Sequence, residues 1–167
     1  DGLGKETQIT NNGKIWRFAP VWSPDSKKLA FSDKNQTLWV VDIKSKKMNK
    51  LDRSDTNDIQ DYSWSPDSQW LTYTKQEDSG YGSIWLANIE TKKSRQLSSA
   101  NTSEQEPVFG SNGNYLFFLS NRDYNLSFSS YEFNYLYHRA TRVYAVQLNS
   151  SAPALYPYQS DEVELSK

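Results

Sequence analysis

Trp22-Ser23-Pro24-Asp25-Ser26 returns 42 positions later as Trp64-Ser65-Pro66-Asp67-Ser68, and this recurrence decides the fold. A repeat at that period describes small units stacked side by side, each covering a face its neighbour cannot bury alone. Phe109-Gly110-Ser111-Asn112-Gly113, a further 45 positions on, has the same shape with Phe for Trp and without the proline. It reads as a third, drifted copy.

The rest of each unit aligns behind that anchor. Lys28-Leu29-Ala30-Phe31, Trp70-Leu71-Thr72-Tyr73 and Tyr115-Leu116-Phe117-Phe118 form a first apolar run. Leu38-Trp39-Val40-Val41-Asp42-Ile43, Ile84-Trp85-Leu86-Ala87-Asn88-Ile89 and Val143-Tyr144-Ala145-Val146-Gln147-Leu148 form a second. Two units close on a basic turn and a polar run, Lys46 to Leu51 and Lys92 to Leu97. Short runs rich in β-branched and aromatic residues, punctuated by Pro, Asp, Asn and Ser, are strand and turn chemistry. In Ser23-Pro24-Asp25-Ser26 the proline presets the backbone for a type I turn and the serine can bond the backbone, which predicts a tight antiparallel hairpin. Phe18 to Trp22 is then the first strand of its unit.

The predicted architecture is all-β: β-propeller blades of four antiparallel strands, about three of them, in an incomplete propeller. Blades are expected at 14–54, 55–100 and 101–149, the last with a long insertion at 121–140. Residues 1–13 read as the outer strand of a preceding blade, with Lys5 to Thr10 as its core, and 150–167 as a linker or the start of a next unit. Closed propellers hold roughly four to eight blades, so the sequence reads as a piece of a larger ring. The first and third blades would each keep one apolar face uncovered. Exposing a few hundred Å² forfeits several kcal/mol at about 25 cal/mol per Å², so association with other blades of the parent, or as a homo-oligomer of the fragment, is expected.

Composition removes several function classes. Nineteen basic and 20 acidic side chains give a net charge of −1, which provides no electrostatic footprint for nucleic acid. No stretch has the length of a membrane-spanning helix, so membrane insertion is not expected, and no cysteine is available for disulfides or thiolate metal sites. Nucleophile elbow, phosphate loop and dinucleotide fingerprint are all missing. The single histidine, His138, rules out a histidine-rich zinc site and reads as an ordinary loop residue. Asp25 and Asp67 are repeated but fit turn acceptors, and Asp55, Asn57, Asp58 and Asp61 lack the ligand spacing of a calcium loop. No catalytic residue, metal or cofactor is therefore predicted for this chain.

Loop lengths point to one face of the disc. Turns after the first and third strands of a blade lie on one side and are uniform here, whereas loops after the second strand lie on the other and vary. Trp22 to Leu38 spans 16 positions, Trp64 to Ile84 20, and Phe109 to Val143 34. Length variation and function concentrate in loops carried by a rigid scaffold. The longest insertion holds Tyr124, Tyr131, Phe133, Tyr135 and Tyr137, flanked by Arg122, Asp123 and Arg142. Aromatics alternating in an extended segment share one face, the composition of a binding surface. The same rings also suit packing onto their own blade or onto a neighbouring domain.

The blade pattern resembles the WD-like repeats of TolB-type propellers and the propeller domains of tricorn-type proteases. Ser120-Asn121-Arg122-Asp123-Tyr124-Asn125, with Ser129 to Tyr135 and Thr141-Arg142-Val143-Tyr144, is similar to the closing part of a blade in bacterial tricorn-like peptidases. The resemblance implies a non-catalytic propeller segment of a tricorn-like serine protease, serving peptide access, docking or interdomain assembly. It implies as partners the remaining blades and the protease domain of the parent, and a peptide substrate; the loop-face reading gives Arg122, Asp123, Tyr124, Tyr131, Phe133, Tyr135, Tyr137 and Arg142 as candidate peptide or interdomain contacts. A periplasmic or otherwise exported parent would follow, with a cytoplasmic one as the alternative. The competing reading is part of a TolB-like protein interaction propeller with no enzyme attached.

Overall fold

The structure, a computed structural model, describes residues 4–11, 13–123, 126–128, 135–137 and 140–157. Strands β1 (Val21–Trp22), β2 (Lys28–Ser32), β3 (Thr37–Asp42) and β4 (Met48–Arg53) form the first sheet in that spatial order. Strands β5 (Gln60–Trp64), β6 (Trp70–Gln76), β7 (Gly82–Asn88) and β8 (Ser94–Gln96) repeat it. The third sheet holds β9 (Glu104–Phe109) and β10 (Tyr115–Ser120) with β13 (Arg142–Gln147), in the order β13-β10-β9. Between β10 and β13 a separate hairpin pairs β11 (Leu126–Phe128) with β12 (Tyr135–Tyr137). All pairings are antiparallel and no helix occurs among the described residues, so the all-β blade architecture holds.

The repeated turn is closed from within. Ser23 Oγ sits 2.6 Å from Asp25 Oδ1 and accepts the Lys28 amide at 2.9 Å, and the amide of Ser26 bonds the Ser23 carbonyl at 2.8 Å. Ser65 repeats these contacts with Asp67 at 2.5 Å and the Trp70 amide at 2.9 Å. Asp25 and Asp67 also accept the amides of Lys27 and Gln69, so both carboxylates serve the turn, and hydrogen bonding from Ser23 holds Asp25 below the usual carboxylate range. The turn ends on a left-handed residue, Ser26 (φ 58°), Ser68 (φ 60°) and Gly113 (φ 71°), the pattern of a type I turn followed by a bulge.

The inner strands share an irregularity. The ladder slips between Gln60 and Ser63, where Asp61 has φ 56°, and opposite Phe117 and Leu119, where Glu106 has φ 54°. Each left-handed acid stands three residues before the anchor aromatic, an inserted residue that bends the strand and raises its twist. In the first unit Pro20 has no N–H to donate, as Pro107 has none in β9, but no left-handed residue precedes it to re-aim the strand. Strand β1 is only Val21–Trp22, preceded by an isolated bridge of Arg17 to Asp33, where a strand from Phe18 was expected.

Side-chain alternation sends one face of each sheet into the next. Ala30, Leu38 and Val40 of the first sheet pack on Ile59, Trp64, Leu71 and Tyr73 of the second. Ile84 then packs on Leu116 and Phe118 of the third, with Leu97, Phe109, Tyr144 and Val146 around them. Hydrogen bonds cross the first seam as well. Trp64 Nε1 donates to the Val21 carbonyl at 3.1 Å, Tyr62 Oη to the Ala19 carbonyl, and Ser32 Oγ to the Ile59 carbonyl at 2.6 Å. The second seam closes by proximity: a Cβ on Gly82 would lie 2.6 Å from the Glu104 carbonyl oxygen.

Two faces stay open. On the third sheet Val143 is 69% exposed and Val108 53%, beside the half-buried Phe117 and Leu119 on the same side. On the first sheet Trp22 is 54% exposed, while Arg17 caps Phe31 at 5.5 Å from the ring centre. These are the faces that adjoining blades cover in a closed ring. The outer strand expected at Lys5 to Thr10 is not formed: residues 4–11 contain no strand. A strand needs a neighbour for its backbone groups, and the edge nearest in sequence, β1, is short and interrupted.

Candidate functional site

A clamp repeated three times builds the variable-loop face. At the end of the second strand of each blade an acidic side chain accepts a hydrogen bond from the aromatic that opens the third strand. Trp39 Nε1 donates to Asp33 Oδ2 at 2.8 Å, Trp85 Nε1 to Glu77 Oε1 at 3.1 Å, and Tyr144 Oη to Asp123 Oδ2 at 2.6 Å. The pairs lie 6, 8 and 21 residues apart in sequence, so the clamp fixes the loop mouth whatever the loop length. The bond to Asp123 comes first among the causes that raise the Tyr144 hydroxyl pKa, ahead of desolvation and the Asp123 charge.

In the third blade this clamp belongs to a larger network at the root of the 121–140 insertion. Arg122 Nη2 lies 2.8 Å from Glu104 Oε1 and its Nε 3.0 Å from Ser120 Oγ. Its guanidinium sits 4.6 Å from the Tyr144 ring centre and 5.6 Å from that of Phe118, and these two rings stack at 6.1 Å. Glu104 is fully buried and also accepts from Thr102 Oγ1 at 2.6 Å. Removing the partner of a buried charge costs about 3–5 kcal/mol when both groups are enclosed, and less here because the Arg122 side chain is 38% exposed. Arg142 reaches Asp123 at 3.3 Å, but both are near half exposed, so the pair contributes little.

Of the residues expected from sequence to contact a peptide, Arg122, Asp123 and Arg142 are brought together. All three keep part of their side chains exposed while bonding to groups of the blade. Tyr135 and Tyr137 stand on β12, opposite Phe128 and Leu126 in the ladder. Tyr124, Tyr131 and Phe133 lie outside the described residues, as does His138. Ser120 and Tyr144 stand in the sequence motif but were not expected at the site, and Glu104 stands in neither the motif nor the expected site. Tyr144 was detectable, because it aligns with Trp39 and Trp85 and each has an acid upstream; Glu104 left no signal, since only the strand pairing sets it opposite Ser120.

Two clefts flank the network along the second seam, of about 320 Å³ beside Thr102, Phe118 and Arg122, and about 270 Å³ beside Asp58, Asp61 and Glu104. Glu104 Oε2 and Thr74 Oγ1 are buried on this seam without a hydrogen-bond partner. Asp58 is engaged by Lys34 at 2.5 Å, and no group of three or more acids or histidines among the described residues is placed to hold a metal ion.

The sequence pattern of the tricorn protease second beta propeller domain matches residues 1–167. The Tricorn-like protease C-terminal subunit of Sulfurisphaera tokodaii is 32% identical over 151 residues, which cover 90% of this chain and 17% of that protein. The chain thus spans about a sixth of that relative's length. Among solved structures, the tricorn protease crystal structure superposes on 87% of this chain and 15% of its own, with a TM-score of 0.76 and 21% identity. TolB from Acinetobacter baumannii does so over 74% and 32%, with a TM-score of 0.56 and 17% identity. With its stacked antiparallel blades and a match along its whole length, the chain belongs to the family of the tricorn protease second beta propeller domain.

Proposed function

We propose that the chain is a non-catalytic propeller segment of a tricorn-like serine protease, whose variable-loop face guides or docks peptides on their way to an active site elsewhere in the parent. The observation that carries this reading is the clamp series: three loop mouths of different span are fixed by the same acid–aromatic bond, and the widest bears the aromatic insertion. Such a base holds a loop firmly while leaving its tip free to vary. The family match along 1–167 favours a protease parent over a TolB-like interaction propeller, which rests on likeness of fold alone. The open faces at Trp22 and at Val108 and Val143 suit further blades of that parent as partners.

The test is made in the full-length parent by replacing residues 126–137 with a short Gly-Ser link. Cleavage of long unfolded polypeptides is expected to fall at least tenfold in kcat/KM while short chromogenic peptides stay within twofold. Equal losses on both substrates, or on neither, count against a guiding role.

A further inference from the structure

Inside the chain each seam sets a large side chain against a small one. On the face that a sheet turns to the next, Ala30 stands at the centre of a row across the first sheet, between Val21 and Val40 in the ladder. Thr72 and Phe117 hold the same place in the second and third. The anchor aromatic of the following sheet lies on this row: Trp64 shares a core with Ala30 and gives its indole N–H to the Val21 carbonyl. Phe109 lines the second seam together with Leu86, the ladder partner of Thr72. The smaller centre, Ala30, thus takes the larger anchor, and Thr72 takes the smaller one. Both centres are fully buried.

The third sheet reverses the order. Phe117 is far larger than Ala30 or Thr72, and its ring lies back over the turn of its own blade. A Cβ on Gly110 would stand 3.3 Å from Phe117 Cε2, at the position where the other copies carry Ser23 and Ser65. Glycine there leaves room for the ring. The Tyr115 ring flanks it on the same side of the strand, at 6.4 Å between centres. Space that an incoming anchor fills in the first two seams is therefore already taken. A close-packed seam accepts extra volume on one side only where the other side gives it up.

We propose that the open face of the third sheet receives a further blade of the parent whose anchor position carries a small side chain, no larger than valine, in place of Trp64 or Phe109. This rests on the parent holding further blades and not on the role proposed for the loop face. The exposed Val108 and Val143 beside Phe117 supply the remaining apolar contact. The same rule excludes a second copy of this chain as the occupant, because Trp22 would meet Phe117, two large rings where each internal seam has one.

The test has two arms. In the full-length parent, the residue aligned with Trp64 and Phe109 in the blade that follows is expected to be valine or smaller; any larger residue there overturns the proposal. The second arm uses the 167-residue chain, whose first sheet offers Trp22 as a large anchor, in sedimentation velocity up to millimolar concentration. The unmodified chain is expected to stay monomeric. Phe117→Ala, which copies Ala30, and Phe117→Thr, which copies Thr72, open the row and should self-associate with at least tenfold tighter apparent affinity. Trp22→Ala added to either should return a monomer. Val143→Ala trims the same face away from the row centre and should not associate, with circular dichroism confirming each fold. The proposal is overturned if the unmodified chain already pairs through Trp22, if both Phe117 variants stay monomeric, or if their association survives Trp22→Ala. Neither arm touches the insertion, so failure here leaves the loop-face reading standing.

Discussion

Trp22 and Trp64 occupy the same place in the same five-residue motif, yet one is 54% exposed and the other 6%. Both aromatics face the preceding blade, because Trp22 pairs with Leu29 as Trp64 pairs with Leu71. Trp64 finds the first sheet there, with the Val21 carbonyl for its indole N–H, whereas no strand of the described chain covers Trp22. The motif therefore carries its turn chemistry within itself, while the worth of its tryptophan depends on a neighbour. A propeller blade is a local fold with a borrowed half of its core.

The sharpest way to break this comparison is to truncate both rings. Trp64→Ala should cost about 3–5 kcal/mol of unfolding free energy and Trp22→Ala under about 1 kcal/mol, read from urea midpoints of the same chain. Similar losses would mean that Trp22 is covered in solution by a second copy, which sedimentation would reveal.

The second seam can be tested at its tightest point. Gly82→Ala places a methyl 2.6 Å from the Glu104 carbonyl and 3.1 Å from Thr74 Cγ2, so backbone must move. A loss of about 1–3 kcal/mol is expected, confined to the seam between the second and third sheets in hydrogen exchange. Protection lost instead around Trp64 would show that the two seams do not open separately.

The first seam also carries a pH signature. Burial above all, then the charge of Asp52 and the 2.5 Å bond to it, raise the Tyr73 phenol pKa in the folded chain. A raised folded pKa gives stability that is fully present below the unfolded value of about 10 and is lost as pH rises above it. Stability should fall between pH 10 and 11 more steeply in the unmodified chain than in Tyr73→Phe. Parallel curves would remove Tyr73 from the account.

The smallest effect separates the two turns. Ser26 and Ser68 both adopt the left-handed conformation that Gly113 fills in the third copy. Ser26→Gly relieves strain and should change stability by at most about 1 kcal/mol, in the stabilising direction. Ser68→Gly should not gain, because Ser68 Oγ accepts the Asp25 amide across the seam at 3.1 Å. A thermal shift of equal sign and size in both would show that this seam bond adds nothing.

Much of the blade was legible because its determinants are close in sequence. Ser23 with Asp25 and Ser65 with Asp67 close their own turns, and alternation along Leu29 to Phe31 and Leu71 to Tyr73 marks the buried faces. Lys5 to Thr10, expected as the outer strand of a preceding blade, has a polar β-like composition, which forms a strand only beside a partner edge. At the candidate site composition pointed to Arg122, Asp123 and Arg142 as peptide or interdomain contacts, and the structure adds the bonds from Arg122 to Glu104 and from Tyr144 and Arg142 to Asp123 at the root of the insertion. That arrangement needs two strands in register and a third sheet packed on a second, and no local spacing encodes this.

By itself, the amino-acid sequence determined the repeat, the four-strand unit, the turn chemistry and the face on which loops grow, because each depends on side chains within a few positions of one another. Only the tertiary structure decided which copy of a repeated residue is buried and which acids clamp which aromatics. Those outcomes arise at seams between sheets, where residues distant in the chain are brought within a few ångströms.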